Sequence, residues 1–93
     1  LPGPLSMPKI EKEITITNPQ GLHARPAALF VQVAAKFNSK IMVRKNEECV
    51  NGKSIMGILM LAAQRDHKVV IEADGDDAQD AINELEKLLM QNE

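Results

Sequence analysis

At 93 residues with a formal charge of -2, the chain can build one small core and has no room for two. Its 11 basic and 13 acidic residues form no single-sign block and only two residues are aromatic, which argues against nucleic acid or an anionic membrane as partner. The lone Cys49 excludes an internal disulfide and leaves a thiolate metal cage short of ligands, and no apolar run approaches the roughly 20 residues that span a bilayer.

The leading stretch Leu1 to Ser6 holds two prolines and a glycine, with neither a basic region nor an apolar core. It reads as an appended, non-native leader ahead of a natural start at Met7, leaving 7–93 as a single domain; a short natural disordered tail is the alternative. From Ile10 to Thr17, Ile10, Ile14 and Ile16 share one parity while Glu11, Glu13, Thr15 and Thr17 take the other. That is the period of a half-buried strand. Asn18, Pro19 and Gly21 are turn formers, Pro26 suits the first turn of a helix, and Ala27, Phe30, Val31, Ala34 and Phe37 recur at helical spacing as far as Phe37 or Asn38.

Lys40 to Lys45 alternates with Ile41 and Val43 on one face, Asn46-Glu47 supplies a turn, and Glu48 to Val50 returns as a short strand. Ser54 is a good N-cap for a helix over Ile55 to Ala63 that is apolar nearly all round, so part of that apolar surface must stay exposed. A polar turn, Gln64 to Lys68, leads into a β-branched strand over Val69 to Ala73. Asp76 with Gln79 resembles a capping box, opening a last helix whose stripe is Ala78, Ala81, Ile82, Leu85, Leu88 and Leu89. The order β-α-β-β-α-β-α, with one apolar parity per strand, predicts an α+β domain with helices gathered on one face of an antiparallel or mixed sheet.

His23 falls at a loop-to-helix junction. Backbone N–H groups at a helix start lack intrahelical partners and point outward, and the macrodipole adds roughly half a positive charge there. Arg25 can bring a planar, permanently charged donor fork to the same spot, although a cation is poorly placed at the positive end of a helix unless an anion joins it. Imidazole offers an unprotonated ring nitrogen near neutrality, so this is equipment for phosphoryl transfer through nitrogen. The bland readings are a capping loop histidine and a solvated cation.

The segment Gly21-Leu-His-Ala-Arg-Pro-Ala27, followed some thirty residues later by Val50-Asn-Gly-Lys-Ser-Ile-Met-Gly57, resembles the HPr family of the bacterial phosphotransferase system. The likeness runs from about Lys9 to the C-terminus. It implies an open-faced β-sandwich, with a four-stranded antiparallel sheet in the order 1-4-2-3 under three helices; the pattern alone does not give that order. It implies a phosphocarrier, not an enzyme, with no cofactor; the single cysteine fits a reducing, cytoplasmic setting. On the resemblance, His23 is phosphorylated at Nδ1 by enzyme I charged from phosphoenolpyruvate and passes the group to enzyme IIA domains. Arg25 steadies the phosphoryl group, and Ala24 and Arg25 supply backbone donors. Ser54 matches a serine that an ATP-dependent HPr kinase/phosphorylase modifies, placed near the His23 face so that added charge would weaken docking to enzyme I and create a surface for a transcriptional regulator. Ile55, Met56 and Leu59 fall on a patch that docks partners. The alternatives are a Crh-like regulatory binding module, disfavoured because such relatives lack the histidine, and a carrier of the nitrogen-related branch.

Three other features read as structural. His67 is a solvated loop residue with no second ligand nearby to suggest metal, Cys49 a small packing residue, and Asp74, Asp76 and Asp77 turn and cap chemistry without EF-hand spacing. Gly57 inside a helix costs about 1 kcal/mol relative to alanine, which points to close approach by a neighbour or a partner.

Overall fold

A computed structural model describes residues 9–91; the leader at 1–6 lies outside them. The elements follow the expected order: β1 (Lys9–Thr15), α1 (Ala24–Ala34), β2 (Lys40–Lys45), β3 (Glu48–Asn51), α2 (Ile55–Leu61), β4 (Lys68–Asp74) and α3 (Ala78–Leu89). All pairings are antiparallel and the sheet order is β1-β4-β2-β3, as the resemblance implied. Register follows the pleat: Ile14 stands opposite Val69, and Val43 stands between Ile71 on β4 and Val50 on β3. One sheet face therefore presents a continuous apolar surface, against which Ala27 and Phe30 of α1, Ile58 and Leu61 of α2 and Ile82 and Leu85 of α3 are fully buried. The other face is open and charged, with Glu72 of β4 paired to both Lys9 and Arg44. Such partly exposed pairs add little stability, so the burial under the helices carries the fold.

Several boundaries differ from the sequence reading, each for a visible reason. β1 stops at Thr15, two residues early, because the backbone of Ile16 leaves the ladder: its N–H donates to His67 O at 2.9 Å and its carbonyl accepts from Asp66 N–H at 2.8 Å. The amides of Thr17 and Asn18 then donate to Leu89 O, at 3.1 Å each, tying the loop to the end of α3. α1 begins three residues before Ala27 and ends at Ala34, and half-buried Phe37 lies in a following turn whose carbonyl accepts from Lys53 Nζ at 2.7 Å. α2 ends at Leu61 because Ala62 takes a left-handed cap, with φ of 53°.

The Asp76/Gln79 capping box does not form. Asp77 is the N-cap of α3, and its carboxylate serves another segment, accepting from Ser39 Oγ, Asn38 N–H and Ser39 N–H. These bonds, the Ser39 hydroxyl first, hold the Asp77 carboxyl below the usual carboxylate value. Gln79 instead donates to Asn83 Oδ1 at 3.0 Å. Cys49 is exposed, not packed: Val50 faces the core beside Val43, so its neighbours in the strand must point outward.

Candidate functional site

The loop from Asn18 to His23 is built by bonds that only some residues allow. The Asn18 side chain, 6% exposed, accepts from Gln20 N–H at 2.9 Å, and its carbonyl accepts from Gly21 N–H at 3.0 Å. Gly21 has φ of 61°, and a Cβ there would lie 2.8 Å from both Ala63 O and Gln64 Cα. Its bare backbone lets the loop lie on the turn after α2, where Leu22 N–H donates to Ala63 O at 2.8 Å and the Leu22 side chain is buried.

With Leu22 anchored, the chain emerges at His23, which is exposed and serves as N-cap of α1 with φ -80° and ψ -170°. Its carbonyl accepts from Ala27 N–H at 2.7 Å, closing the first helical turn, while its ring makes no cap hydrogen bond. Pro26 has no N–H to place and its ring is buried, so the first turn is pinned to the core. Ala24 and Arg25 keep their amide donors, and neither finds an acceptor among the described residues. No acidic residue occupies the first turn. Arg25 is exposed, enters none of the ion pairs among the described residues, and lines a cleft with Asn18, Gln20, Pro26, Leu29, Leu88 and Gln91. An imidazole without a cap bond and two amides without acceptors thus stand at one helix end, and the Arg25 guanidinium, in no ion pair among the described residues, lines the cleft on its flank; amides and guanidinium are both donors suited to an oxyanion.

α2 supplies the second set of expected residues. Ser54 is its N-cap, with Oγ accepting from Gly57 N–H at 3.2 Å. A Cβ on Gly57 would meet Val50 Cβ at 3.2 Å, so the close neighbour is β3. Ile58 and Leu61 face the core, whereas Ile55, Met56 and Leu59 are exposed, Met56 at 64%. Met60 and Leu29 of α1 are exposed as well. Leu29 was missed because it lies off the Ala27-Phe30-Ala34 stripe, and only that failure to fit the stripe could have flagged it.

The structure does not put Ser54 beside His23. Ala63, beyond the end of α2, meets the His23 loop, whereas Lys53, before its start, reaches Phe37 beyond the end of α1. The two helices therefore run in opposite senses, and the seven residues of α2, roughly 10 Å of helix, separate Ser54 from the loop. His67 is half-buried, not solvated: its Nδ1 accepts from Gln64 N–H at 3.0 Å within the turn that backs Gly21. Among the described residues no cluster of His, Cys, Asp and Glu could hold a metal, and no helix is long and apolar enough to cross a membrane.

Comparison with known proteins decides the family. A sequence family described as "PTS HPr component phosphorylation site" matches residues 10–91, a span that includes both motif segments. The chain belongs to the HPr family. The phosphocarrier protein HPr of Neisseria meningitidis serogroup A is 44% identical over 80 residues, which cover 86% of this chain and 90% of that one. The crystal structure of a phosphocarrier protein HPr from Bacillus anthracis superposes with a TM-score of 0.86 at 39% identity, over 88% of this chain and 98% of that one. That of HPr from Thermoanaerobacter tengcongensis superposes with a TM-score of 0.83 at 51% identity, over 86% and 90%. In HPr terms the sheet order and the three-helix layer are those of an open-faced sandwich.

Proposed function

We propose that this HPr-family chain is a stoichiometric histidine phosphocarrier. The observation that carries the reading is the exposed His23 ring, which caps nothing, at the start of a helix whose first two amides and Arg25 side chain have no partner among the described residues. In the receiving step the Nδ1 lone pair attacks phosphorus, a P–N bond forms, and the bond to the donor's carrier atom breaks with its electron pair leaving on the donor. Nε2 keeps its proton, and Arg25 with the Ala24 and Arg25 amides holds the phosphoryl oxygens. The handing-on step is the reverse, with the acceptor's nucleophile attacking phosphorus and Nδ1 recovering its pair. Nothing turns over unless both partners are present.

Enzyme I as donor and enzyme IIA domains as acceptors fit this reading, with Ile55, Met56 and Leu59 as docking surface. Methionine suits a surface that must repack against different partners. Ser54 is the proposed site of a regulatory phosphate added by an HPr kinase/phosphorylase, since a dianion at a helix start is tolerated and acts on binding to partners, a transcriptional regulator included. Incubation with phosphoenolpyruvate and enzyme I will add one acid-labile phosphoryl group to the wild type and none to His23→Ala. A phosphoryl group that persists in the alanine variant refutes the assignment, and a parallel incubation with kinase and ATP tests Ser54.

A further inference from the structure

The carrier reading leaves a second histidine unused, and its bonds lead to the first. His67 Nδ1 accepts from Gln64 N–H at 3.0 Å, while the His67 backbone N–H donates to Gln64 O at 3.0 Å, so the ring closes the turn between α2 and β4. That turn is the floor of the site loop. The position a Gly21 Cβ would take is 2.8 Å from Gln64 Cα and 3.2 Å from Arg65 N, and Leu22 N–H donates to Ala63 O at 2.8 Å. On the other flank, Ile16 N–H donates to His67 O and Asp66 N–H donates to Ile16 O, at 2.9 and 2.8 Å, just before the loop begins at Asn18. The turn that His67 closes therefore grips the loop both before Asn18 and directly before His23.

Resting on the carrier reading, we infer that His67 is an acid-sensitive positioning residue, which sets the approach of His23 through the Gln64–Ala63–Leu22 path. A ring protonated on both nitrogens has no acceptor left, and its Nδ1–H would confront the Gln64 N–H donor. The ring borders a hollow whose other charged groups are Lys45 from β2, Asp66 from the turn and Lys68 from β4, two cations against one anion. A ring cation formed there joins a positive majority while losing its bond, so the turn loosens and the anchor of Leu22 with it. Imidazole changes charge within the physiological range, so this brace would lower carrier competence as the medium acidifies.

The test pairs His67→Asn, whose side-chain oxygen accepts the Gln64 bond at any pH, with His67→Leu, which has no acceptor. Phosphorylation is followed with phosphoramidate, a small donor that needs no protein partner, from about pH 7.5 to about pH 5.5. Taking the ratio of wild-type to His67→Asn rate at each pH cancels whatever pH does to both chains alike and isolates the second ring. We expect that ratio near one at the upper pH and lower by about two- to tenfold at the lower, the factor produced by losing one ordinary hydrogen bond. Leu22 amide exchange, which needs no phosphoryl group, should quicken by a similar factor in His67→Leu at neutral pH and be restored in His67→Asn. A flat ratio together with unchanged exchange overturns the inference. If the wild type accepts no phosphoryl group at all, the carrier reading fails, and the exchange measurement alone decides whether His67 braces the loop.

Discussion

Replacing Gly21 by alanine tests the claim that the His23 loop depends on a bare backbone. Two costs add. With φ of 61° the residue is left-handed, which costs an L-side chain about 1–2 kcal/mol. The new Cβ also has two atoms at 2.8 Å, Ala63 O and Gln64 Cα, both backbone and unable to swing aside, so relief requires parting the loop from the turn. That parting stretches the Leu22–Ala63 hydrogen bond, a further loss of about 1 kcal/mol. A total of about 2–3 kcal/mol corresponds, for a domain of this size, to a Tm lower by roughly 10–20 °C. Thermal unfolding followed by far-UV circular dichroism measures it, and phosphoryl acceptance by the folded variant should fall in parallel because His23 directly follows Leu22. Gly57→Ala is the internal comparison. There φ is ordinary and the nearest contact is Val50 Cβ at 3.2 Å, so a helix-propensity gain of about 1 kcal/mol is set against a shift of a few tenths of an ångström in β3, leaving Tm within a few degrees. Equal and small effects at the two glycines would refute the reasoning about the loop.

Two further outcomes are expected. The Asp77 carboxyl lies below its usual 3.8, so its contribution to stability is complete above that value and lost as pH falls through the lower folded one. Urea titrations across acid pH should therefore show a decline in stability for the wild type that is shallower in Asp77→Asn; parallel curves would exclude the carboxylate clamp on Ser39. Met56→Ser should leave stability within about 0.5 kcal/mol, since the side chain is 64% exposed, yet weaken enzyme I binding by about fivefold or more as an apolar anchor is lost. Calorimetric titration showing unchanged affinity would remove Met56 from the docking surface.

What could be read from the residues follows from where local chemistry and tertiary demand agree. β2 ran over Lys40–Lys45 as expected because turn formers flank it on both sides and Ile41 and Val43 mark one face. α1 was started late because Ala24 and Arg25 belong to no apolar stripe; what places them in the helix is the buried Pro26 and the Ala27–His23 bond. Asp76 and Asp77 offer the same side chain, and only the arrival of Ser39 from a segment distant in sequence selects Asp77. Cys49 in a three-residue pattern gave too little period to set parity, and pairing with β2 settled it outward. The strand order came from resemblance, since alternation says which face of a strand is buried and nothing about its neighbours. Of the site, the exposure of His23, Ala24 and Arg25 at a helix start was legible because Gly21 and Pro26 mark the loop-to-helix junction on either side of them. The close approach of Gly21 to Ala63 and Gln64 was not, because it joins segments more than forty residues apart.

The opposed run of α1 and α2 limits how a charge on Ser54 could speak to His23. Across roughly 10 Å of solvent-washed helix, mobile ions damp an added field to a fraction of its bare strength at cellular salt. The phosphoryl chemistry at one end would then be nearly deaf to the other. Any conversation between them has to pass through a visiting protein broad enough to cover both ends of α2 at once, which makes the footprint of the visitor, and not the reactivity of the imidazole, the quantity that modification at Ser54 would tune.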